Sequence, residues 1–205
     1  MDYSKGLKTG LASAAALVAG SHALMAQSWD GMYAGLSVGS NSGTMPWADS
    51  PDYTYGYNSS AVGGLFVGTN TTLGNGLIFG KELAISFANG ADPTGTYTDP
   101  NAPYSSSPIA DAKFSLGKEF ATPMGGMHAY GFAGGSVINT AANSGGSYIA
   151  FGTNFGLGAE VMVAPQFSVG VEVIQRNMTG YDSNNDPQTA TTSNRTVSLR
   201  ASYRF

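Results

Sequence analysis

The sequence predicts an all-β fold, an eight-stranded antiparallel up-and-down β-barrel that crosses a membrane. Residues 196–205 alternate strictly, with five apolar side chains on one face and two arginines on the other. Charged residues make up only 11% of the chain, whereas about a quarter is usual for a water-soluble domain. No stretch reaches the ~20 apolar residues that a membrane-spanning helix requires. Together these observations favour strands with one face in lipid and the other lining a closed barrel.

Residues 1–26 are predicted to be an export signal, and residues 27–205 the barrel. Two lysines form a basic start, and residues 11–19 form a short apolar run of helix-forming residues. The small residues that follow permit cleavage after either Ala23 or Ala26. Because the apolar run is too short to span a bilayer, an uncleaved anchor is the weaker alternative.

Eight segments carry the period of two that predicts a strand with two different faces. In chain order they are residues 29–40, 59–69, 77–88, 109–120, 127–137, 148–163, 166–177 and 196–205. In the first four strands the apolar faces are well separated, except in strand two, which has no clear facing. These faces carry Met32, Ala34, Leu36 and Val38 in strand one, Phe79, Leu83, Ile85 and Phe87 in strand three, and Ala112, Phe114 and Leu116 in strand four. Lys81 lies on the apolar face of strand three and interrupts it.

The last four strands are assigned in the same way. Strand five sets Tyr130 and Phe132 against small residues, and the following strands oppose bulky apolar residues to glycine, serine and charged residues. These apolar faces carry Ile149, Phe151, Phe155, Leu157, Val161 and Val163, then Phe167, Val169, Val171 and Val173, then Val197, Leu199, Ala201, Tyr203 and Phe205.

The links between the strands alternate between long and short. The long links are residues 41–58, 89–107, 139–146 and 178–193, and the short ones are residues 71–76, 122–126 and 164–165. All nine prolines fall in links or at strand edges, where no ladder donor is lost. The asymmetry is typical of outer-membrane barrels, which have short periplasmic turns and longer surface loops. An even number of strands places both ends on the side of the short turns.

Several charged residues are predicted to point into the barrel. They are Glu82, Asp111, Lys113, Glu119, Glu160, Glu172, Arg176, Arg200 and Arg204. They could line an ion-selective pore or form a salt-bridged plug. Because an eight-stranded barrel is narrow and buried charges must pair, the plug is favoured, with Arg200 beside Glu160 or Glu172. Glycines on the same face are expected to leave room for these long side chains.

Two motifs at the ends of the mature chain resemble a known family. The sequence Trp29-Asp30-Gly31-Met32-Tyr33-Ala34-Gly35 matches a W-x-G-x-Y-x-G opening, and the chain ends in Tyr203-Arg204-Phe205. In these motifs the chain resembles the small porin-like outer-membrane β-barrel family, which includes alphaproteobacterial surface antigens and is similar to opacity proteins and the OmpA-type barrel. The resemblance implies that Trp29, Gly31, Tyr33 and Gly35 form the family motif. It also implies that Tyr203 and Phe205 form an assembly signal read by the barrel-assembly machinery, although Arg200 stands where that signal often has glycine.

The sequence offers little for catalysis, metals or cofactors, and none of these is predicted. His128 is the only histidine outside the predicted signal, and it begins strand five at the periplasmic end, away from the outer rim where barrel hydrolases work. Residues 182–186 alternate oxygen ligands like a calcium loop, but Pro187 replaces the glycine such a loop needs. The acidic chain, with a formal net charge of −4, argues against nucleic acid as a partner.

The predicted function is a structural or surface-interaction role in the outer membrane, without catalysis. The expected partners are membrane lipid and lipopolysaccharide, the assembly machinery, and an extracellular ligand held by the loops. Tyrosines in the links suit such a binding surface or an aromatic girdle at the headgroups: Tyr53, Tyr55, Tyr57, Tyr97, Tyr104 and Tyr181. The alternatives are a narrow porin-like channel for ions or small solutes, an enzyme acting on lipid A or phospholipid, and an exported water-soluble barrel of lipocalin type.

Overall fold

The structure is a computed structural model, and it describes residues 28–46, 54–88, 104–123, 125–142, 147–181 and 192–205. The eight strands are β1 (Gly31–Pro46), β2 (Thr54–Thr72), β3 (Leu77–Ala88), β4 (Tyr104–Thr122), β5 (Gly125–Ala142), β6 (Ser147–Ala164), β7 (Phe167–Tyr181) and β8 (Thr192–Arg204). The predicted export signal and the calcium-like segment at residues 182–186 lie outside the described residues.

Each strand pairs antiparallel with the next, and β8 pairs with β1, so the sheet closes into a barrel. Every backbone ladder therefore has a partner on both sides, as a structure in hydrocarbon requires. The predicted eight-stranded up-and-down barrel is confirmed. In the part of the chain that the structure describes, no helix is long and apolar enough to cross a membrane.

The two faces of the strands differ as the alternation predicts, except that β2 had no predicted facing and that on β5 the bulky Tyr130 and Phe132 point into the lumen while the small residues face outward. On β7, Val171 is 50% exposed on the outside, whereas Ser168 and Glu172 on the inner face are 1% and 5% exposed. Outward-facing leucine, valine and phenylalanine side chains recur on all eight strands. A continuous apolar exterior of this kind belongs in lipid rather than water, which argues against the lipocalin alternative.

The strands extend further than predicted on the side of the long links. Strand β2 has 19 residues, which is about 60 Å of chain and more than a ~25 Å apolar band needs, even for a tilted strand. Consequently the links shorten to residues 47–53, 89–103, 143–146 and 182–191. The third link is then no longer than the turn at residues 73–76, so the predicted alternation of long and short links fails there. Backbone hydrogen bonds between strands also form in water, so the polar ends of the hairpins stay paired beyond the apolar band.

Pro108 lies inside β4 rather than at a strand edge, contrary to the prediction. The register of β4 against β5 shifts between Ser106 and Ile109, so Pro108 sits at an irregularity in the ladder. A bulge is where a strand tolerates a residue without an N–H donor. Lys81, as expected, faces outward on β3, and its Nζ lies 5.9 Å from the centroid of the Phe79 ring.

Candidate functional site

The lumen of the barrel holds a balanced set of buried charges. Four acidic and four basic side chains from β3, β4, β6, β7 and β8 point inward, and each is 9% exposed or less. They are Glu82, Asp111, Glu160, Glu172, Lys113, Arg176, Arg200 and Arg204. Their formal charges cancel, which is a requirement for burying so many ionised groups.

Two cations and two carboxylates form the centre of this set. Lys113 Nζ lies 2.6 Å from Glu82 Oε1 and 2.7 Å from Glu172 Oε1. Arg200 also reaches both carboxylates, with its Nη2 paired to Glu82 and its Nη1 3.0 Å from Glu172 Oε2. Each cation therefore has two partners, and the four residues bridge the lumen from β3 and β4 to β7 and β8.

Glu160 extends the central group towards the short turns, the predicted periplasmic end of the barrel. Arg200 Nε lies 3.1 Å from Glu160 Oε1, and Arg204 Nη2 lies 4.0 Å from Glu160 Oε2. Ser168 donates a 2.8 Å hydrogen bond to Glu160 Oε2. Tyr130 donates a hydrogen bond to Glu172 Oε2 at 3.1 Å. The carboxylate oxygens therefore accept hydrogen bonds from hydroxyl groups in addition to their contacts with the cations.

A second, separate ion pair lies nearer the long-link side. Arg176 binds Asp111 with two parallel contacts, Nε to Oδ1 at 2.8 Å and Nη2 to Oδ2 at 2.6 Å. The remaining Nη1 donates to Thr196 Oγ1 at 2.7 Å and to Asn194 Oδ1 at 3.1 Å. Ser136 donates to Asp111 Oδ1 at 2.6 Å. Such a two-pronged pair fixes both side chains in orientation as well as in charge.

Glu119 lies apart from these pairs. Its side chain is exposed near the end of β4, where it pairs with His128 across the ladder, and no ion pair to it is found among the described residues. Its carboxylate lies against Gly126 at the periplasmic rim. The prediction that Glu119 belongs to the lumen charges is therefore corrected. The alternation predicted the face of β4 on which Glu119 lies, but not that it lies at the rim.

Aromatic rings line the cations of the lumen. The guanidinium carbon of Arg200 lies 3.8 Å from the centroid of Phe66, and Lys113 Nζ lies 4.9 Å from that of Phe132. Stacking on the negative face of a ring stabilises a desolvated cation further. These rings were not identified from the sequence, because an inward aromatic looks the same as an outward one in a strand pattern.

The inward glycines were expected to make room for charged side chains, but more of them make room for aromatic rings of the lumen. A Cβ added at Gly158 would overlap the Tyr130 ring, and one at Gly68 would overlap the Tyr33 ring. Both glycines lie directly opposite their ring on the neighbouring strand. Other inward glycines meet no ring: at Gly134 and Gly152 the crowding atoms are backbone atoms of the adjacent strand, and at Gly170 they include Cγ of Glu160, at 2.5 Å from the added Cβ.

Two apolar clusters lie at the two ends of the charged lumen. Trp29, Ile78 and Met162 are at most 1% exposed and form the periplasmic floor. On the long-link side the cluster contains Ile109, Ile138, Ala150 and Met178, which are at most 2% exposed. Neither cluster was predicted, since Trp29 was assigned to strand one and Met178 to a loop. Trp29 instead precedes β1 and fits beneath the barrel.

His128 belongs to the periplasmic floor. Its ring centroid lies 5.2 Å from that of Trp29 and 5.0 Å from that of Tyr130. Within the described residues, His128 Nε2 has no hydrogen-bond partner. No serine or carboxylate bonds to it there, so the described geometry contains no catalytic dyad at this histidine. No group of three histidine, cysteine or acidic side chains suited to a metal ion occurs in the described part of the chain either.

The motif at the start of the chain runs from this floor into the charged part of the lumen. Gly31 begins β1 with a φ of 103°, a backbone conformation that favours glycine and turns the chain from Trp29 into the strand. Tyr33 donates a 3.0 Å hydrogen bond to Glu82 Oε2, and Gly35 faces the Phe66 ring. At the other end of the chain, Tyr203 contacts Phe167 with ring centroids 5.0 Å apart, and Phe205 is 75% exposed.

Comparison with known proteins agrees with this architecture. The family described as outer membrane protein beta-barrel domain matches residues 11–205. No match was found among curated proteins. Among solved structures, Neisserial surface protein A aligns with a TM-score of 0.51 and 12% identity, over 85% of this chain and 97% of that chain.

Two further structures align less closely. The outer membrane protease OmpT from Escherichia coli has a TM-score of 0.45 and 10% identity, over 90% of this chain and 100% of that chain. Ail, the attachment invasion locus protein of Yersinia pestis, has a TM-score of 0.43 and 13% identity, over 85% and 99%. On the family match, this chain belongs to the outer membrane protein β-barrel family and resides in the cell outer membrane.

Proposed function

We propose that the protein is a structural barrel with a surface-interaction role, that its lumen is filled, and that it performs no catalysis. The observation that carries this proposal is the set of eight inward charges, which neutralise one another and are each 9% exposed or less. A conducting lining would leave charges hydrated and accessible, whereas these groups use one another as partners.

The space left in the lumen supports the same proposal. Two cavities of about 20 Å³ each lie beside the central ion pairs, one on the periplasmic side and one on the long-link side. A cavity of this size holds about one water molecule. The layer formed by Lys113 and Glu172 borders both cavities, and the two apolar clusters lie beyond them.

The absence of catalysis in the proposal rests on the position of His128. Its ring is buried between Trp29 and Tyr130 at the periplasmic end, where a substrate from the outer leaflet does not reach it. Unchanged lipid A and phospholipid profiles after deletion of the protein would support this part, and a missing modification would contradict it.

The surface role rests on the long hairpin arms. Polar strand ends, such as those of β2 and β7, continue past the apolar band, and we place the four links outside the cell. Four of the six tyrosines predicted for the links lie instead in the strand ends next to them, Tyr55 and Tyr57 in β2, Tyr104 in β4 and Tyr181 in β7. We propose that these strand ends and the links form the contact surface together; the six side chains are not among those that the structure describes. Binding of the purified protein to host-cell matrix or serum proteins, lost after exchange of these tyrosines for serine, would support this role.

Planar-bilayer recording tests the filled lumen directly. Protein inserted in the bilayer, with insertion checked by protease protection, should show no steady openings at moderate voltages. A matched variant that carries Trp29→Ala, Ile109→Ala and Lys113→Ala should conduct, which proves that the assay detects an opened lumen. Steady openings of the unaltered chain would contradict the proposal.

A narrow channel is the second candidate, and one observation favours it. Lys113 and Arg200 both contact Glu82 and Glu172, so each cation can change its carboxylate partner without leaving a charge alone. Such an exchange would join the two small cavities. Openings of the unaltered chain that disappear on Arg200→Met would establish this candidate.

Assembly through the terminal aromatics is part of the proposal. Phe205 is exposed, and its main contacts are a ring contact with Tyr203 and a 3.0 Å backbone hydrogen bond to Met32. Removal of Phe205 should therefore strongly reduce the amount of protein that the barrel-assembly machinery inserts. It should reduce the unfolding free energy of the inserted protein to a smaller extent. Normal membrane levels of this variant would contradict the assembly role.

A further inference from the structure

One patch of the lipid-facing surface combines a fixed cation with an apolar groove. Gln175 on β7 and Arg195 on β8 are direct cross-strand partners on the outer face. Arg195 Nε donates a 3.2 Å hydrogen bond to Gln175 Oε1, and Gln175 Nε2 donates a 2.8 Å hydrogen bond to Ser193 Oγ. These bonds orient the guanidinium, while its two terminal nitrogens have no partner in the described part of the chain.

The groove leads from this cation down the outside of the barrel. It is lined by Gly131 on β5, by Phe155 and Leu157 on β6, and by Val173 on β7. The phenylalanine and leucine are 49% and 71% exposed. Gly131 leaves the floor open, because a side chain there would occupy the groove beside Leu157, with its Cβ in ordinary contact at 3.5 Å. The groove thus has an extended apolar part and one cationic end.

The cationic end lies at the upper edge of the apolar band. The outer face changes from Val173 to Gln175 on β7 and from Val197 to Arg195 on β8, at neighbouring positions. Strand β6 stays largely apolar beyond this level, with Ile149 still 56% exposed. Since long links face outward in this family of folds, the guanidinium lies at headgroup depth of the outer leaflet. The described outer faces of β6, β7 and β8 carry no acidic side chain.

We propose that this groove binds one phosphorylated lipid of the outer leaflet. The terminal nitrogens of Arg195 donate to a phosphate of the headgroup, because the planar guanidinium matches two phosphate oxygens at once. One acyl chain lies along Phe155, Leu157 and Val173, where Gly131 provides depth. The proposal depends on the placement in the outer membrane and not on whether the lumen conducts.

Lipid retention measured by native mass spectrometry tests the proposal. The full mature chain is reconstituted in vesicles of a phosphate-free galactolipid that contain equal amounts of diphosphorylated lipid A and its dephosphorylated form. The unaltered protein should retain one molecule of the diphosphorylated form in preference to the other. Arg195→Gln should lower that preference about tenfold, the effect of ~1.4 kcal/mol. Gly131→Leu should lower retention of both forms, because it fills the groove.

The matched control is Lys81→Gln. Within the described parts of β3 to β8, Lys81 is the other cation that faces lipid and lies away from the rims. It should leave retention unchanged, and heat-modifiable gel mobility should verify folding of every variant. Equal retention by the unaltered protein and Arg195→Gln would overturn the proposal, as would an equal loss in Lys81→Gln. Displacement of the lipid by inorganic phosphate alone would also overturn it, since that would identify a free-phosphate site.

Discussion

Arg204 in the last strand donates a 2.8 Å hydrogen bond from Nη1 to the backbone carbonyl of Trp29, which lies 175 positions earlier in the chain. The guanidinium also stacks on the indole, with its carbon 4.4 Å from the ring centroid. The N-terminal segment and the closing strand thus meet at the periplasmic floor. This contact gives a physical role to the tryptophan of the opening motif: it covers the lumen from below.

Loss of the Trp29 side chain should destabilise the barrel strongly. Trp29→Ala removes a ring that is 1% exposed, and we expect a loss of about 3–5 kcal/mol in the free energy of unfolding. Urea unfolding in phospholipid vesicles measures this loss. Trp47→Phe, outside the described residues, serves as the control that exchanges the second tryptophan. Equal, small losses in both variants would mean that Trp29 does not form the floor.

The two ion-pair groups should respond differently to loss of a carboxylate. Asp111→Asn leaves Arg176 without an acidic partner among the described residues, so a loss of about 3–5 kcal/mol is expected. Glu82→Gln should cost less, because Lys113 keeps Glu172 and Arg200 keeps Glu160 and Glu172. Unfolding free energies of both variants give the comparison. A larger loss for Glu82→Gln would show that the central charges do not share partners.

The inward glycines should tolerate less than the outward ones. Gly158→Ala pushes a Cβ into the Tyr130 ring, whereas at Gly63 the nearest atom to an added Cβ is 3.9 Å away. We expect Gly158→Ala to cost about 1–3 kcal/mol, the usual cost of overpacking, and Gly63→Ala to be close to neutral. Chemical unfolding of the matched pair checks this. Equal effects would refute the assignment of ring contacts to the inner glycines.

The free-energy cost of a charge on the outer face should depend on its depth in the membrane. Val171→Arg places a cation within the apolar band and should cost about 2–4 kcal/mol, whereas Thr179→Arg, further up the same face of β7, should cost no more than about 1 kcal/mol. Unfolding in vesicles measures both values. If Thr179→Arg were the more costly variant, the band would lie nearer the long links than we infer.

Strand number and order, and the facing of most strands, could be predicted because each depends on local alternation. The facing of β2 could not be predicted, and β5 carries its bulky rings on the inside. Within one short segment, residue type indicates the face, outward for Val197 and Leu199 and inward for Arg200. The alternation is clear because the outer face contacts lipid and is apolar. Strand ends could not be predicted as well, since hydrogen-bonded arms outside the membrane lack an apolar face. Pro108 illustrates this, because a bulge can hold a proline that a simple rule assigns to a link.

Contacts across the lumen lie beyond the reach of the pattern. The pairing of Arg200 with Glu160 and Glu172 follows from neighbouring strands and agrees with the expectation. Its contact with Glu82, five strands further along the ring in one direction and three in the other, depends on barrel curvature. Likewise, Phe66 is apolar like the lipid-facing residues, and only the register assigns it to the interior.

Site-directed spin labelling along β7 tests the central claim most directly, that lipid surrounds the barrel and the charges are inside. The chain has no cysteine, so single cysteines at Val169, Val171, Glu172, Val173 and Ile174 each carry one label. In vesicles, the three valine positions should be accessible to oxygen dissolved in lipid, and the two alternate positions should be accessible neither to oxygen nor to a water-soluble nickel complex. Access of the nickel complex to the valine positions, or an absence of the period of two, would contradict the account.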